Sequence, residues 1–157
     1  MKFLLAALAG LAGTAAMTLF LYLLSFVTSR TTRIVKVFGT MLTNRTQPDG
    51  GLSDAVSTSA VGIVAHYAVG VFFAAIYLAL WDSGVGLATA SWGILFGLAN
   101  GIAGMVAWYF FFMLHPKPPI IKLGTYLMWL LVAHVIFGFV TTYVYHLLSQ
   151  PAYAFWQ

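Results

Sequence analysis

The chain has no cysteine and very little charge. Of its 157 residues, 7 are lysine or arginine and 3 are aspartate or glutamate, so charged residues make up only 6%. A soluble domain carries about 25% charged residues, because its surface must face water. The lack of cysteine excludes disulfides, thiolate chemistry and Cys-ligated zinc or iron–sulfur centres. Apolar residues make up 62% of the chain, and they cluster into runs long enough to span a bilayer.

Four such runs predict an all-α, polytopic membrane protein in which residues 1–157 form a single transmembrane domain. The predicted spans cover about 3–27, 57–81, 87–114 and 120–148. A turn rich in glycine separates the second span from the third, and a cluster of prolines ends the third, because proline cannot continue a helical hydrogen-bond ladder. The fold we expect is therefore two tandem helix hairpins.

The connection between the first two spans is the only long one, and it predicts a short amphipathic helix over about 32–44. Its apolar residues recur at helical spacing and are Ile34, Val37, Phe38 and Met41. Basic and polar residues occupy the other faces. Such a helix is suited to lying in the headgroup region of a membrane, although an ordinary linker is the alternative.

Basic residues are divided unevenly between the two sides of this topology. The side with both termini and the turn at 82–86 holds only Lys2. The opposite side holds Arg30, Arg33, Lys36, Arg45, Lys117 and Lys122. Positively charged loops remain cytoplasmic, so both termini are expected on the outer, periplasmic side. Membrane orientation and anionic lipid explain these charges better than nucleic-acid binding.

Small residues predict where helices approach closely, since lipid gives no hydrophobic reward for helix association. The third span carries Gly93, Gly97 and Gly101 at four-residue intervals. The same span holds Asn100, the only carboxamide within a span, which we interpret as an interhelical hydrogen-bonding group.

The second and fourth spans share an element in which a histidine is followed by glycine after four residues and by tyrosine after eleven. The two copies are His66, Gly70 and Tyr77, and His134, Gly138 and Tyr145. Eleven residues end about 20° past three full helical turns, so each triplet lies on one stripe of its helix. The repeat predicts a pseudo-two-fold axis along the membrane normal, with tight packing of the second and fourth spans at these glycines.

Three interpretations of His66 and His134 remain open. The first is structural: a neutral imidazole hydrogen-bonded to a threonine, tyrosine or backbone carbonyl, because polar groups at this depth face the bundle interior and have partners. The second is axial ligation of haem b, with a neighbouring glycine making room for the porphyrin. The third is a proton- or quinone-linked site. Tight packing leaves little room for a porphyrin, and no carboxylate inside a span supports a proton relay.

Three stretches of the chain carry a resemblance to a known family. They are 13–18 (GTAAMT), 37–42 (VFGTML) and the two histidine elements. The chain resembles a family of bacterial four-span integral membrane proteins of unknown function. The resemblance implies a bacterial inner-membrane location and carries no activity with it.

No nucleophile elbow, P-loop, paired carboxylate or HExxH motif is present, so we expect no enzymatic activity and no bound cofactor. The favoured interpretation is a non-catalytic accessory subunit of a larger membrane complex, for example a respiratory or photosynthetic one. Its partners would be the bilayer and other membrane subunits, with no nucleic acid. The alternatives are a bis-histidine haem-b electron carrier and a small-solute or proton-linked transporter.

Overall fold

A computed structural model describes residues 1–28 and 33–156. These residues form five α-helices: α1 (Lys2–Thr28), α2 (Ile34–Leu42), α3 (Val56–Asp82), α4 (Ala90–Leu114) and α5 (Leu123–Ser149). Within those ranges there is no strand, so the all-α prediction is confirmed. Two predictions concern residues outside the described ranges. They are the loop-side position of Arg30 and the start of the loop helix at residue 32.

Four of the helices, α1, α3, α4 and α5, are long and apolar enough to cross a membrane. Each has 25 or 27 residues, which at about 1.5 Å per residue exceeds the roughly 30 Å of a hydrocarbon core. The predicted span limits agree with the helices to within three residues at every end. We call the side with both termini the turn side and the side with α2 the loop side.

α4 and α5 begin three residues later than predicted, and both delays have a local cause. Gly86 has a φ of 78° and Thr89 is extended, so the turn before α4 continues to Thr89. Before α5, the N–H of Ile120 donates to the carbonyl oxygen of Gly50 at 2.9 Å. The segment after the prolines is therefore bonded to the first connection instead of being helical.

The long helices pack in the order α3, α1, α5, α4, and α2 packs on α3. The two ends of this row, α3 and α4, are not packed backbone to backbone and meet mainly through side chains. The second and fourth spans, α3 and α5, lie on either side of α1 in this row, so their expected direct packing at the glycines is wrong. α3 and α5 both pack on α1, so their glycines contact helices other than each other.

Each interface in the row places a threonine over a glycine of the neighbouring helix. The three pairs are Thr14 over Gly70, Thr141 over Gly13, and Thr142 over Gly93. In each pair a Cβ on the glycine would collide with the threonine side chain. Because these glycines have no side chain, the helices approach closely enough to gain the dispersion contacts that hold helices together in lipid.

α2 is held against the start of α3 by two backbone contacts at glycine. A Cβ at Gly39 would collide with the carbonyl group of Thr58, and a Cβ at Gly62 would collide with the carbonyl oxygen of Val35. Both neighbours are backbone atoms, which cannot turn away as a side chain can. The position of α2 on α3 therefore depends on both glycines.

The apolar face of α2 is covered by protein. Ile34, Val37 and Met41 are buried, and the ring of Phe38 lies 5.3 Å from the ring of Trp108 on α4. We expected this face to lie among lipid headgroups, but it packs against α3 and α4 instead. The helix itself is present, while its place at a membrane surface stays a prediction.

The turn side is closed by contacts between distant parts of the chain. Lys2 Nζ lies 2.6 Å from Asp82 Oδ1, which joins the start of α1 to the end of α3. The C-terminal tail folds back, and Tyr153 accepts a hydrogen bond from the backbone N–H of Ala88 at 3.1 Å. These contacts hold α3 and α4 in place at one end of the gap between them.

Candidate functional site

A cavity of about 460 Å³ lies in the gap between α3 and α4. Its walls come from all five helices, with α1 and α5 at the back and α2 on the loop side. Binding cavities for small molecules have volumes of about 300–1,000 Å³. The gap is thus large enough for a ring system or a lipid tail.

Side-chain contacts bound the cavity region at both ends. On the turn side, Asn100 Nδ2–H donates to the hydroxyl oxygen of Tyr77 at 2.9 Å, and the Tyr77 ring lies 5.0 Å from that of Phe96. On the loop side, Phe38 and Trp108 meet edge to face. α4 is thus joined to α3 on the turn side and to α2 on the loop side, and the cavity lies between these two levels.

His66 and His134 both line this cavity at nearly the same depth. His66 follows the first residue of α3, Val56, by ten residues, and His134 follows the first residue of α5, Leu123, by eleven. At about 1.5 Å per residue, both lie about 15–17 Å from the loop-side ends of their helices. That is close to half the thickness of a hydrocarbon core of about 30 Å.

The protonation pattern of the His66 ring follows from a chain of two hydrogen bonds. Thr18 Oγ1 donates to the carbonyl oxygen of Thr14 at 2.7 Å, so its only hydrogen is already committed. The same oxygen lies 3.0 Å from His66 Nε2, and both hydrogen bonds form together when this nitrogen carries a hydrogen and donates it to Thr18. Nδ1 of the neutral ring then carries a lone pair, and it has no hydrogen-bond partner among the described residues.

The His134 ring has the opposite tautomer. Its Nδ1 lies 2.8 Å from the carbonyl oxygen of Leu130, which only accepts hydrogen bonds, so Nδ1 carries the hydrogen. Nε2 is left with the lone pair. The ring lies against Gly104 of α4, where a Cβ would be 3.2 Å from Cε1 and 3.3 Å from Nε2. The absence of a side chain at Gly104 makes room for the ring at the cavity wall.

The site therefore presents two hydrogen-bond acceptors in apolar surroundings. Thr14 also lines the cavity, but its hydroxyl donates to the carbonyl oxygen of Gly10 at 2.8 Å. No carboxylate is found among the described lining residues, so an imidazolium there would be a buried charge without a partner, which is costly. Neutral rings that accept hydrogen bonds are the state that this environment favours.

The geometry does not favour haem as the occupant. His134 resembles a usual haem ligand, because its Nδ1–H is held by a carbonyl and its Nε2 carries the lone pair. His66 uses Nε2 to bind Thr18 and offers only Nδ1. Across the described part of the chain, no group of three or more histidine, cysteine, aspartate or glutamate residues could hold a metal ion.

The predicted packing glycines lie at helix interfaces, but with partners other than those expected. Gly70 contacts Thr14 of α1, and Gly138 contacts the backbone of Gly93 and Gly97 on α4. Gly101 lies against Leu131 of α5, so the stripe on α4 is the α4–α5 interface.

The two tyrosines of the repeat have different surroundings. Tyr77 is buried and bonded to Asn100, as an interhelical role for that carboxamide requires. Tyr145 stacks on Trp81 with ring centroids 4.7 Å apart. Since the two copies of the element differ in their partners, the pseudo-two-fold relation stays a prediction.

The sequence interpretation missed the cavity and the roles of three residues at its wall: Gly104, Phe38 and Trp108. One signal was present in α4. Ala103, Gly104 and Ala107 are small residues displaced from the Gly93–Gly101 stripe, and they form a second surface of α4 that lines the cavity.

These features define a polytopic α-helical membrane protein with four long apolar helices. The chain belongs to a family of unknown function, DUF6789, whose model matches residues 1–154. The match confirms the resemblance to a family of unknown function. The four apolar helices fit a membrane protein, whereas bacterial origin stays a prediction. No curated protein and no solved structure matches the chain.

Proposed function

We propose that the protein binds a lipophilic small molecule in the cavity between α3 and α4, without chemically transforming it. The observation that carries this proposal is that two histidines, each with one imidazole nitrogen that has no hydrogen-bond partner among the described residues, line one apolar cavity. Buried polar atoms normally have hydrogen-bond partners, and a ligand with hydrogen-bond donors would supply them. The same ligand would fill a space that helix packing leaves open.

The ligand would enter from the bilayer. α3 and α4 are the ends of the helix row, and the gap between them is flanked by residues with exposed apolar side chains. Phe72 is 61% exposed, and Ala103 and Ala107 on α4 are also exposed. An apolar molecule would reach this surface from lipid without crossing water, and its transfer into the cavity would cost little desolvation.

The binding protein would act as an accessory subunit of a larger membrane complex, which remains our interpretation of its role. Outside the long helices, the described chain consists of α2 with its adjoining segments, two turns and a short tail, so the described residues form no separate soluble domain. Purification from native membranes tests this role. Co-purification of a defined membrane protein supports it, and a monodisperse monomer with no companion protein contradicts it.

Transport of polar solutes is less well supported. The walls of the cavity are mainly aliphatic and aromatic, so a hydrated solute would lose water contacts that two imidazole nitrogens cannot replace.

We further propose an inner-membrane location with both termini outside. Arg33, Lys36, Arg45, Lys117 and Lys122 lie at loop-side positions, as cytoplasmic loops would. Reporter fusions at the C-terminus test the orientation: alkaline phosphatase should be active there and green fluorescent protein dark. The reverse pattern contradicts the proposal.

Binding is tested by identifying lipophilic molecules that purify with the protein in native-lipid nanodiscs. Two variants provide the comparison. Ala107→Trp places an indole in the cavity wall, while Ala99→Trp adds the same bulk to an exposed position of α4 that does not line the cavity. Each sample is extracted with organic solvent, and its contents are compared with the bulk membrane by mass spectrometry.

We expect one class of lipophilic molecule to be enriched over bulk membrane in the unaltered protein and in Ala99→Trp, and to be lost from Ala107→Trp. Equal contents in all three samples would contradict the proposal, because the cavity would then make no difference to what the protein carries.

A further inference from the structure

We propose that the ligand is a planar aromatic diol, the chemical class that contains the reduced forms of membrane quinones. This inference rests on the proposed binding function and specifies its ligand. It follows from three features of the cavity wall: two hydrogen-bond acceptors, one fixed tautomer and a high share of aromatic side chains.

Both histidines require a ligand that donates hydrogen bonds. His66 offers the lone pair of Nδ1, and His134 offers that of Nε2. A hydroxyl group can donate to either nitrogen, whereas an ether or carbonyl oxygen would place its own lone pairs against theirs. Two acceptors on different helices, α3 and α5, are matched by a ligand with two donors.

The tautomer of His66 that keeps the most hydrogen bonds has its hydrogen on Nε2. Moving its hydrogen to Nδ1 would leave Nε2 facing the oxygen of Thr18, whose hydrogen already bonds the carbonyl oxygen of Thr14. The Thr18 hydroxyl would then turn to Nε2 and give up its bond to Thr14, so one hydrogen bond is lost at a residue that is only 7% exposed. His66 therefore favours accepting a hydrogen bond, and the site discriminates against the oxidised, carbonyl-bearing form of the same ring.

Aromatic side chains make up a large part of the wall. They are Phe38, Phe72, Phe73, Trp108, Phe111 and Phe137. Aromatic rings pack well against another flat ring, edge to face or offset, and contribute about 0.5–1.5 kcal/mol per pair beyond their buried area. A branched alcohol or a saturated lipid tail would not use these faces as well. The gap between α3 and α4 leaves a route for an apolar tail into the bilayer.

Binding of four related probes tests the inference. The protein is placed in nanodiscs of synthetic phosphatidylcholine, and affinity is measured for a short-chain hydroquinone, its monomethyl ether, its dimethyl ether and the oxidised quinone. The hydroquinone is handled without oxygen. All four probes share the same ring, and the ethers add methyl groups whose burial would strengthen binding. Weaker binding of the ethers therefore reports the lost hydrogen bonds.

We expect each hydroxyl that is lost to weaken binding about tenfold, so the dimethyl ether should bind about a hundredfold more weakly than the hydroquinone. The oxidised quinone should resemble the dimethyl ether. In His134→Leu, the hydroquinone should lose about tenfold while the affinity for the dimethyl ether is unchanged. That unchanged affinity shows that the variant is folded with its cavity intact.

Different experimental outcomes would contradict the diol as ligand and the proposed binding function. If the four probes bind equally well, or the quinone binds more tightly than the hydroquinone, the diol is excluded and an apolar cavity ligand stands. If none binds while another lipophilic molecule still purifies with the protein and is lost from Ala107→Trp, the diol is again excluded. If neither binding nor co-purification occurs, both proposals are wrong.

Discussion

The imidazole of His134 on α5 lies against Gly104 on α4, with Cε1 3.2 Å from the place that a Cβ on this glycine would occupy. The bond from Nδ1 to the carbonyl oxygen of Leu130 fixes the ring on its other side. The ring is thus held between its own helix and a neighbour, with Nε2 toward the cavity. A small change at Gly104 should move this nitrogen without disturbing the helix row.

Replacing Gly104 by alanine tests this arrangement. The new methyl group would push the ring by a few tenths of an ångström, which should cost about 1 kcal/mol or less in stability. Ligand binding should weaken by about tenfold, because the hydrogen bond to Nε2 would be misaligned. Thermal unfolding and ligand titration in nanodiscs measure the two effects. Gly124→Ala is the control, since nothing lies within 4 Å of a Cβ there; a loss of binding in this control too would contradict the account.

Thr18→Val removes the hydroxyl that accepts the hydrogen of His66 Nε2 while keeping nearly the same shape. The variant should lose about 0.5–1.5 kcal/mol of stability. It should also lose the preference for hydroxyl donors over carbonyl acceptors, because the ring is then able to take either tautomer. The ratio of hydroquinone to quinone affinity measures this effect. An unchanged ratio would mean that Thr18 does not set the tautomer.

Gly39→Ala should detach α2 from α3. The added methyl group meets the backbone of Thr58, which cannot move aside, so the expected cost is about 1–3 kcal/mol of local stability. Hydrogen exchange should accelerate in Ile34–Leu42 and stay unchanged in α5. Leu42→Ala, at an exposed position of the same helix, serves as the control. Equal protection of α2 in both variants would contradict its dependence on Gly39.

The ion pair between Lys36 and Asp54 gives the loop side a dependence on acid. Lys36 Nζ donates to Asp54 Oδ1 at 2.5 Å, and this contact holds the pKa of the Asp54 carboxyl below its usual value of 3.8. A depressed pKa stabilises the folded state above the usual value, and this stabilisation is lost as the pH falls through the depressed value. The melting temperature of the unaltered protein should exceed that of Asp54→Asn at neutral pH, and the difference should vanish well below pH 3.8. A difference that persists in strong acid would contradict this role.

The positions of the spans could be predicted from sequence, because a long apolar run with few charges has one stable arrangement in lipid. The neighbours of each helix could not. A glycine indicates the face on which another helix packs closely, but it does not indicate which helix packs there. Gly70 was expected to face Gly138, and each instead packs on the helix that forms a hairpin with its own, α1 or α4. The order in which the helices pack in the folded protein determines the partner of each glycine.

For the site, His66 and His134 could be selected from the sequence because an ionisable group inside a membrane is costly unless it has a use or a partner. Thr18 was one of several threonines that could partner them, and no pattern singled it out. The only sequence signal for the cavity was the second group of small residues on α4, which does not show that the space beside it stays open. It arises because α3 and α4 stand at the two ends of a row that does not close.

The most direct measurement is the ¹⁵N spectrum of histidine-labelled protein in bilayers, with resonances assigned through single histidine substitutions. Without ligand, His66 should be protonated at Nε2 alone and His134 at Nδ1 alone. Addition of the hydroquinone should shift the two unprotonated nitrogens, as hydrogen bonding requires, and leave His115 and His146 unchanged. Doubly protonated rings, or rings of His66 and His134 that do not respond while the ligand binds, would contradict the claim that these two nitrogens hold it.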